Sequence, residues 1–176
     1  MAPVVSRWGA WYLFGAQAVI AHGVPRLSAD VDVTLRMQPN DPLAFTRDMH
    51  RAGFDAAVDD PEFVRKTRVL PFVHRQTAMP LDVVLASSGL EDEFLARAKP
   101  ANVGGATVPL IDVEDLIVAK VLAGREKDIE DARNLWRVRG SGLDADRVRG
   151  VLRLLEEALG QGDLVRTFDG FAGRGE

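Results

Sequence analysis

Residues 30–36 (Asp-Val-Asp-Val-Thr-Leu-Arg) alternate strictly between polar and apolar side chains. Successive side chains of a β-strand point to opposite faces of a sheet, so this period of two predicts a strand with one buried face. Val31 and Val33 then lie in the core, and Asp30 and Asp32 project together from the other face. We therefore expect a sheet that carries two neighbouring carboxylates on one surface.

The remaining pattern places strands early in the chain and helices late. Further strands are predicted at 10–14, 68–74 and 80–86, with a strand or hairpin at 101–110. Helices are predicted at 16–22, 42–53, 89–98, 112–123, 127–138 and 144–159. This order favours an α/β (α+β) fold: a mixed central sheet of about four to five strands flanked by helices, and a C-terminal helical layer. Pro71 indicates that strand 68–74 lies at a sheet edge or contains a bulge.

Length and composition are those of a globular protein. We place a core at residues 1–111 and a helical region at 112–176, although one single domain would also suit 176 residues. The hydrophobic fraction of 47% can fill a core, in which we expect Trp8, Trp11 and Trp136. The chain has no cysteine, which excludes a disulfide framework and a thiolate zinc site. The apolar run at 8–14 is too short to span a bilayer, so we expect a cytoplasmic protein with no membrane partner.

Charge is distributed unevenly. The formal net charge of −4 argues against a protein coated in basic residues for nucleic acid. Between Lys120 and Arg153, however, nine Lys and Arg residues outnumber six Asp and Glu residues. This excess is a weak indication of a polyanionic partner, and a solvated helical face is the alternative.

The aspartates are candidate metal ligands. Two adjacent carboxylates repel each other unless a cation or a proton lies between them, and oxygen ligands suit Mg²⁺, which completes its shell with water and substrate phosphates. Asp82 adds a third carboxylate within the apolar run 80–85. If its strand neighbours 30–36, the three could clamp two metal ions. The alternatives are an exposed strand face for Asp30 and Asp32, and an arginine partner for Asp82.

Gly15 and Ala16 lie between the first strand and a helix, 15 residues before Asp30. A glycine there permits a tight turn and the close approach of a ligand to the backbone. The unpaired N–H groups at the start of the helix favour an anion. We therefore expect a phosphate cradle beside the metal site.

These motifs together resemble a known superfamily. Phe14-Gly15-Ala16, then Asp30-Val31-Asp32, then Asp82 in an apolar strand is similar to the nucleotidyltransferases, to which DNA polymerase beta belongs. The stretches 14–32 and 114–135 look especially like the toxins of AbiE-type (type IV) toxin–antitoxin systems and the related MenT toxins. The resemblance runs from about residue 10 to 137. Many members have Ser or a second Gly where this chain has Ala16, which removes a hydroxyl contact to phosphate.

The resemblance implies roles for individual residues. Asp30, Asp32 and Asp82 would be catalytic and hold Mg²⁺ or Mn²⁺. Nucleotide contacts are expected from six residues: Gly15, Ala16, Arg26, Ser28, Lys120 and Asp128. Lys120 and Asp128 would share a polar stripe if the helix continued through Gly124, and a solvent-facing stripe is the alternative.

The implied reaction moves a nucleoside monophosphate from an NTP to a hydroxyl group and releases pyrophosphate. By resemblance to the toxins, the acceptor is RNA, at the 3′ end of tRNA, and a cognate antitoxin is the expected partner. A small-molecule transferase that modifies an aminoglycoside-like compound is the second hypothesis. A non-catalytic nucleotide-binding relative is the third, and Ala16 is the one feature that favours it.

Overall fold

The computed structural model describes residues 1–173. The chain folds as two compact units: one contains residues 1–21 and 26–111, and the other contains residues 22–25 and those from 112 onward. The division into a core at 1–111 and a helical region at 112–176 stays a prediction, and residues 174–176 lie outside the described part of the chain.

The first unit contains seven strands and five helices among its described residues. The strands are β1 (Gly9–Phe14), β2 (Val31–Met37), β3 (Phe54–Ala56), β4 (Val69–His74), β5 (Pro80–Leu85), β6 (Lys99–Val103) and β7 (Ala106–Leu110). The helices are α1 (Ala2–Val5), α2 (Gly15–Ala21), α3 (Pro42–Arg51), α4 (Pro61–Thr67) and α5 (Gly89–Arg97).

The strands form one mixed sheet in the order β3-β4-β5-β2-β1-β7-β6. The pairs β2–β5 and β1–β7 are parallel, and the other pairs are antiparallel. The predicted α/β (α+β) class is confirmed, but the predicted count of four to five strands was wrong. The hairpin at 101–110 contributes two strands, and β3 has only three residues, too few to show a period of two.

The proline in β4 does not mark an edge. β4 lies between β3 and β5, so of the two predicted alternatives, a sheet edge and a bulge, the edge is wrong. Pro71 lies beside the end of the short β3, where its carbonyl accepts a hydrogen bond of 2.8 Å from the N–H of Ala57. Ala57, in the loop after β3, thus supplies the hydrogen bond to β4 at the point where the β3 pairing ends.

One face of the sheet packs on α3. Val33 of β2 and Phe72 of β4 are buried, and Phe45 of α3 lies edge-to-face on Phe72 with ring centroids 5.9 Å apart. Burial of each such side chain stabilises the fold by roughly 1.5–3 kcal/mol. Trp11 is buried as predicted, but Trp8 is only half-buried.

The second unit is helical. Its helices are α6 (Val113–Ala123), α7 (Glu126–Arg139), the short 3₁₀ helix Gly140–Gly142, α8 (Ala145–Leu159) and α9 (Leu164–Ala172). α6 contacts α7, α8 and α9, and its residues Leu116, Ile117 and Val118 have no exposed surface. Within residues 1–173, no helix has the length and apolar character needed to cross a membrane.

Candidate active site

Asp32 and Asp82 lie side by side on neighbouring parallel strands. β2 pairs with β5 in a register that sets Asp32 directly opposite Asp82. Adjacent strands are about 4.8 Å apart, and the residues of a parallel pair point to the same face. Both side chains are half-buried. The alternation of β2 and the apolar run of β5 thus bring two carboxylates to one place.

Asp30 lies one residue before β2 and is exposed. The Ser28 hydroxyl is 3.0 Å from Asp30 Oδ1 and 3.0 Å from the Asp30 carbonyl oxygen. The side-chain amide of Gln17, on α2, donates to the same carbonyl at 3.4 Å. Ser28 and Gln17 therefore hold the segment that carries Asp30. The predicted contact between Ser28 and a nucleotide stays a prediction.

Asp82 is in an environment that disfavours its charge. Burial raises the pKa of Asp82, and the negative charge of Asp30 raises it further. The alternative of an arginine partner does not apply, because Asp82 makes no ion pair with any residue in 1–173. A carboxylate under like-charge repulsion gains most when a cation or a proton arrives.

Gly15 gives Asp32 the space that its carboxylate occupies. Its φ is 65°, and a Cβ added there would lie 1.9 Å from Asp32 Oδ2. No side chain fits at this point of the turn between β1 and α2. Gly15 and Ala16 are both buried, and their predicted phosphate contacts stay predictions.

The carboxylates fit a metal that is shared with its substrate. Residues 1–173 contain no group of three or more His, Cys, Asp or Glu side chains arranged to hold a metal ion. Asp30, Asp32 and Asp82 therefore do not by themselves form a complete three-ligand metal site in this structure. Mg²⁺ is usually bound by one or two carboxylates together with water and substrate phosphates, which the pair Asp32 and Asp82 with nearby Asp30 satisfies.

Lys120 and Asp128 lie in the second unit, in a buried ion-pair network. Lys120 Nζ is 2.7 Å from Asp128 Oδ1 and 2.9 Å from Asp131 Oδ2. Arg125 also donates to Asp128. Burial raises the pKa of Asp128, but hydrogen bonds from Arg125 and Lys120 outweigh it, so the net pKa is lowered.

The two helices separate at Gly124, as predicted, so the condition for one polar stripe through Lys120 and Asp128 is not met. α6 ends at Ala123, the next residue Gly124 has a left-handed φ of 66°, and α7 starts at Glu126. The nucleotide contacts of Lys120 and Asp128 stay predictions. Arg26 is half-buried in the segment between α2 and β2, and its nucleotide contact also stays a prediction.

The sequence reasoning missed two residues of these clusters, Gln17 and Arg125. Gln17 is the one polar residue of α2, which is a signal that could have found it. Arg125 could not be placed, because its contact with Asp128 depends on how the chain turns after Gly124.

The chain matches known proteins in part of its sequence and in its fold. Residues 88–160 match the family described as "Nucleotidyl transferase of unknown function (DUF2204)". This match spans less than half of the chain and includes Lys120 and Asp128 but none of the three predicted catalytic aspartates. No curated protein matches the chain in sequence.

Solved structures share the fold at low identity. The antibiotic-resistance factor ANT(2'')-Ia has a TM-score of 0.55 at 17% identity, covering 88% of this chain and 87% of that one. JHP933 from Helicobacter pylori has a TM-score of 0.51 at 12% identity, with 93% and 81% covered. An antigenic nucleotidyltransferase-like protein from Paracoccidioides brasiliensis has a TM-score of 0.51 at 15% identity, with 90% and 84% covered.

These findings support a nucleotidyltransferase enzyme. The predicted resemblance to nucleotidyltransferases is confirmed: residues 88–160 match a nucleotidyltransferase family, and the chain shares its fold with ANT(2'')-Ia and with a nucleotidyltransferase-like protein.

Proposed function

We propose that this protein is a Mg²⁺-dependent nucleotidyltransferase that moves a nucleoside monophosphate from an NTP to a hydroxyl group. One observation carries the proposal: Asp32 and Asp82 lie in register on adjacent strands, where burial and the negative charge of Asp30 raise the pKa of Asp82. Carboxylates held together in this way at a polar surface are typical of a site that receives a cationic partner.

Each residue of the site has a defined task in this reaction. Bound Mg²⁺ would neutralise charge on the NTP phosphates, and Asp30 and Asp32 are the residues that would hold it. Asp82, with its raised pKa, accepts the proton of the attacking hydroxyl. The hydroxyl oxygen forms a bond to the α-phosphorus, the bond to the bridging oxygen breaks, and pyrophosphate leaves. Gly15 keeps Asp32 in place by leaving room for its carboxylate.

For the acceptor, we propose RNA, at the 3′ end of tRNA, with a toxin role and an antitoxin partner. This rests on the resemblance of residues 14–32 and 114–135 to AbiE-type and MenT toxins. The reaction consumes NTP, so the cytoplasm is the compartment that the proposal implies.

A small-molecule acceptor is the second candidate. One structure of the neighbour ANT(2'')-Ia holds adenylyl-2''-tobramycin, with a TM-score of 0.55 to this chain. An aminoglycoside is therefore the natural competitor of RNA in any assay.

The test incubates the protein with Mg²⁺ and each of the four NTPs, labelled at the α-phosphate, with total tRNA or tobramycin as acceptor. Asp30→Ala/Asp32→Ala is the inactive variant, and Asp59→Ala, an exposed aspartate of the same unit, is the matched control. Label in tRNA that disappears only in the double variant supports the RNA proposal. Label in tobramycin supports the second candidate, and the absence of transfer to either acceptor contradicts both.

A further inference from the structure

The second unit contains a cleft between α7 and α9. It has a volume of about 300 Å³ and is lined by Arg133, Trp136, Arg137, Gly170 and Phe171. We call it the arginine–aromatic cleft. Trp136 was expected in the core, but it is only half-buried and lines this cleft.

A buried phenylalanine packs against both aromatic side chains of the cleft. Phe168 has no exposed surface and meets Trp136 edge-on at 5.2 Å and Phe171 edge-on at 5.4 Å. The Arg149 guanidinium lies 5.7 Å from the Phe168 ring centroid. Trp136 and Phe171 are thus anchored by a shared buried ring, and Gly170 has no side chain to cover them.

The arginines of the cleft have no acidic partners within residues 1–173. Arg133 is exposed and makes no hydrogen bond or ion pair with a described residue. Arg137, one turn further along α7, donates only to the neutral Asn134 side chain, at 3.1 Å. Arg166 is exposed one turn before Gly170 on α9 and is also unpaired among the described residues. Their positive charge is therefore available to a ligand.

We propose that the arginine–aromatic cleft binds a single-stranded polynucleotide. A base would stack on Trp136 or Phe171, and the flanking phosphates would contact Arg133 and Arg137. Proteins bind single strands in this way, with aromatic rings for the bases and a positively charged groove for the backbone. Arginine suits both tasks because its planar fork binds phosphate and stacks on rings.

A polyanion fits the cleft better than a cationic small molecule does. An aminoglycoside is positively charged and would be repelled by unpaired arginines, whereas a phosphate backbone is attracted to them. The role of the cleft in docking an RNA acceptor rests on the proposed function. The binding of a single strand does not.

Fluorescence anisotropy of a labelled 12-nucleotide single-stranded RNA measures this binding without NTP. Arg133→Ala/Arg137→Ala is compared with Arg47→Ala/Arg153→Ala, which removes two exposed arginines outside the cleft that are also unpaired among the described residues. We expect the cleft variant to raise Kd about tenfold or more and the control to change it less than about twofold. The slope of log K against log salt should fall by about 1.4 in the cleft variant, since each lost phosphate contact removes about 0.7 for a single strand.

A ring variant tests stacking separately from charge. Phe171→Leu keeps an apolar side chain beside Phe168 but removes the ring, and we expect Kd to rise about fivefold or more. Circular dichroism confirms that each variant is folded. Equal losses in the two arginine variants, an unchanged Kd in Phe171→Leu, or no binding of RNA by the unaltered protein would each overturn the proposal.

The inactive variant separates this proposal from the transferase proposal. Asp30→Ala/Asp32→Ala should bind the RNA with unchanged Kd. If transfer is lost in that variant but the cleft variants do not change the RNA affinity, the transferase proposal stands and the cleft proposal is rejected. If the cleft binds RNA but the unaltered protein transfers no nucleotide, the cleft proposal stands and the transferase proposal is rejected.

Discussion

At the scale of single residues, Gly15 connects backbone conformation to the site. Its φ of 65° and the position of Asp32 Oδ2 leave no room for a Cβ. Gly15→Ala must therefore displace the Asp32 carboxylate, and we expect activity to fall at least about a hundredfold, because displacements near 1 Å have that effect on catalysis. The left-handed backbone adds a stability cost of roughly 1–2 kcal/mol.

Gly104→Ala is the matched control for that substitution. Gly104 has a φ of 58°, and a Cβ there meets nothing within 4 Å. It should show a similar shift in the urea midpoint with full activity. Equal activity losses in both variants would mean that backbone strain, and not Asp32, explains the effect.

Asp82→Asn should separate activity from stability. The pKa of Asp82 is raised by burial and by Asp30, so the folded protein binds its proton more tightly than the unfolded chain does. The stability that this proton contributes is therefore lost as pH rises from the unfolded pKa of about 3.9 through the higher folded pKa of Asp82. Above that pKa, and so at pH 7, the charged carboxylate destabilises the fold. The neutral amide should raise the urea midpoint at pH 7 in EDTA and lower the transfer rate about 10²- to 10⁴-fold. A lowered midpoint would contradict this account of the site.

The positions of the three aspartates could be predicted from the sequence, but the residues that hold Asp30 in place could not. The alternation at 30–36 and the apolar residues around Asp82 are local patterns that fix which face each side chain takes. The contacts of Ser28 and Gln17 with Asp30 depend on how the segment before β2 folds back on α2, which no periodicity reveals.

At the scale of elements, the ion-pair network joins α6 to α7. Asp128 has no exposed surface and binds Lys120 and Arg125. Removal of Asp128 takes away charge-assisted hydrogen bonds but leaves the buried Lys120 ammonium paired with Asp131, which costs about 1.5–3 kcal/mol. Asp128→Ala should therefore lower the free energy of unfolding by that amount at pH 7, as measured by urea denaturation.

Glu130→Ala is the control on the same helix. Glu130 is exposed and pairs with no residue in the described range, so its loss should change stability by less than about 0.5 kcal/mol. If Asp128→Ala proves no more destabilising than Glu130→Ala, the network does not support the helical unit.

The same network predicts an acid-sensitive stability. The folded pKa of Asp128 is lowered, so the unfolded chain binds this proton more readily. The contribution of Asp128 is then complete above the unfolded pKa of about 3.9 and is lost as pH falls from there through the folded pKa. Urea midpoints measured from pH 7 to pH 3 should fall below about pH 4 by a larger amount in the unaltered protein than in Asp128→Ala. Parallel curves would exclude Asp128 as the cause.

Long periodic elements were predictable, and short ones were not. β1, β2, β5 and α6 lie close to their expected positions, since each is long enough to show its period. β3 was missed because three residues cannot show a period of two, and the helices α4 and α9 were missed as well. The break between α6 and α7 was predicted from Gly124, whose left-handed backbone ends α6.

At the scale of the whole molecule, fold and chemistry are supported by different parts of the chain. The family match covers residues 88–160, whereas the aspartates of the proposed site lie before residue 88. The structural neighbours share the fold at 12–17% identity. The alternation of polar and apolar residues at 30–36 predicted a strand of the sheet. The acceptor is recognised by surfaces that form only when distant segments fold together, so no local sequence pattern predicts it.

The most direct test of the account is a calorimetric titration of the protein with each NTP, in Mg²⁺ and in EDTA, since this requires no acceptor. We predict binding in Mg²⁺ that is lost in EDTA and in Asp30→Ala/Asp32→Ala, and retained in Asp59→Ala. NTP binding that is unchanged in EDTA and in the double variant would show that these carboxylates are not the metal and nucleotide site.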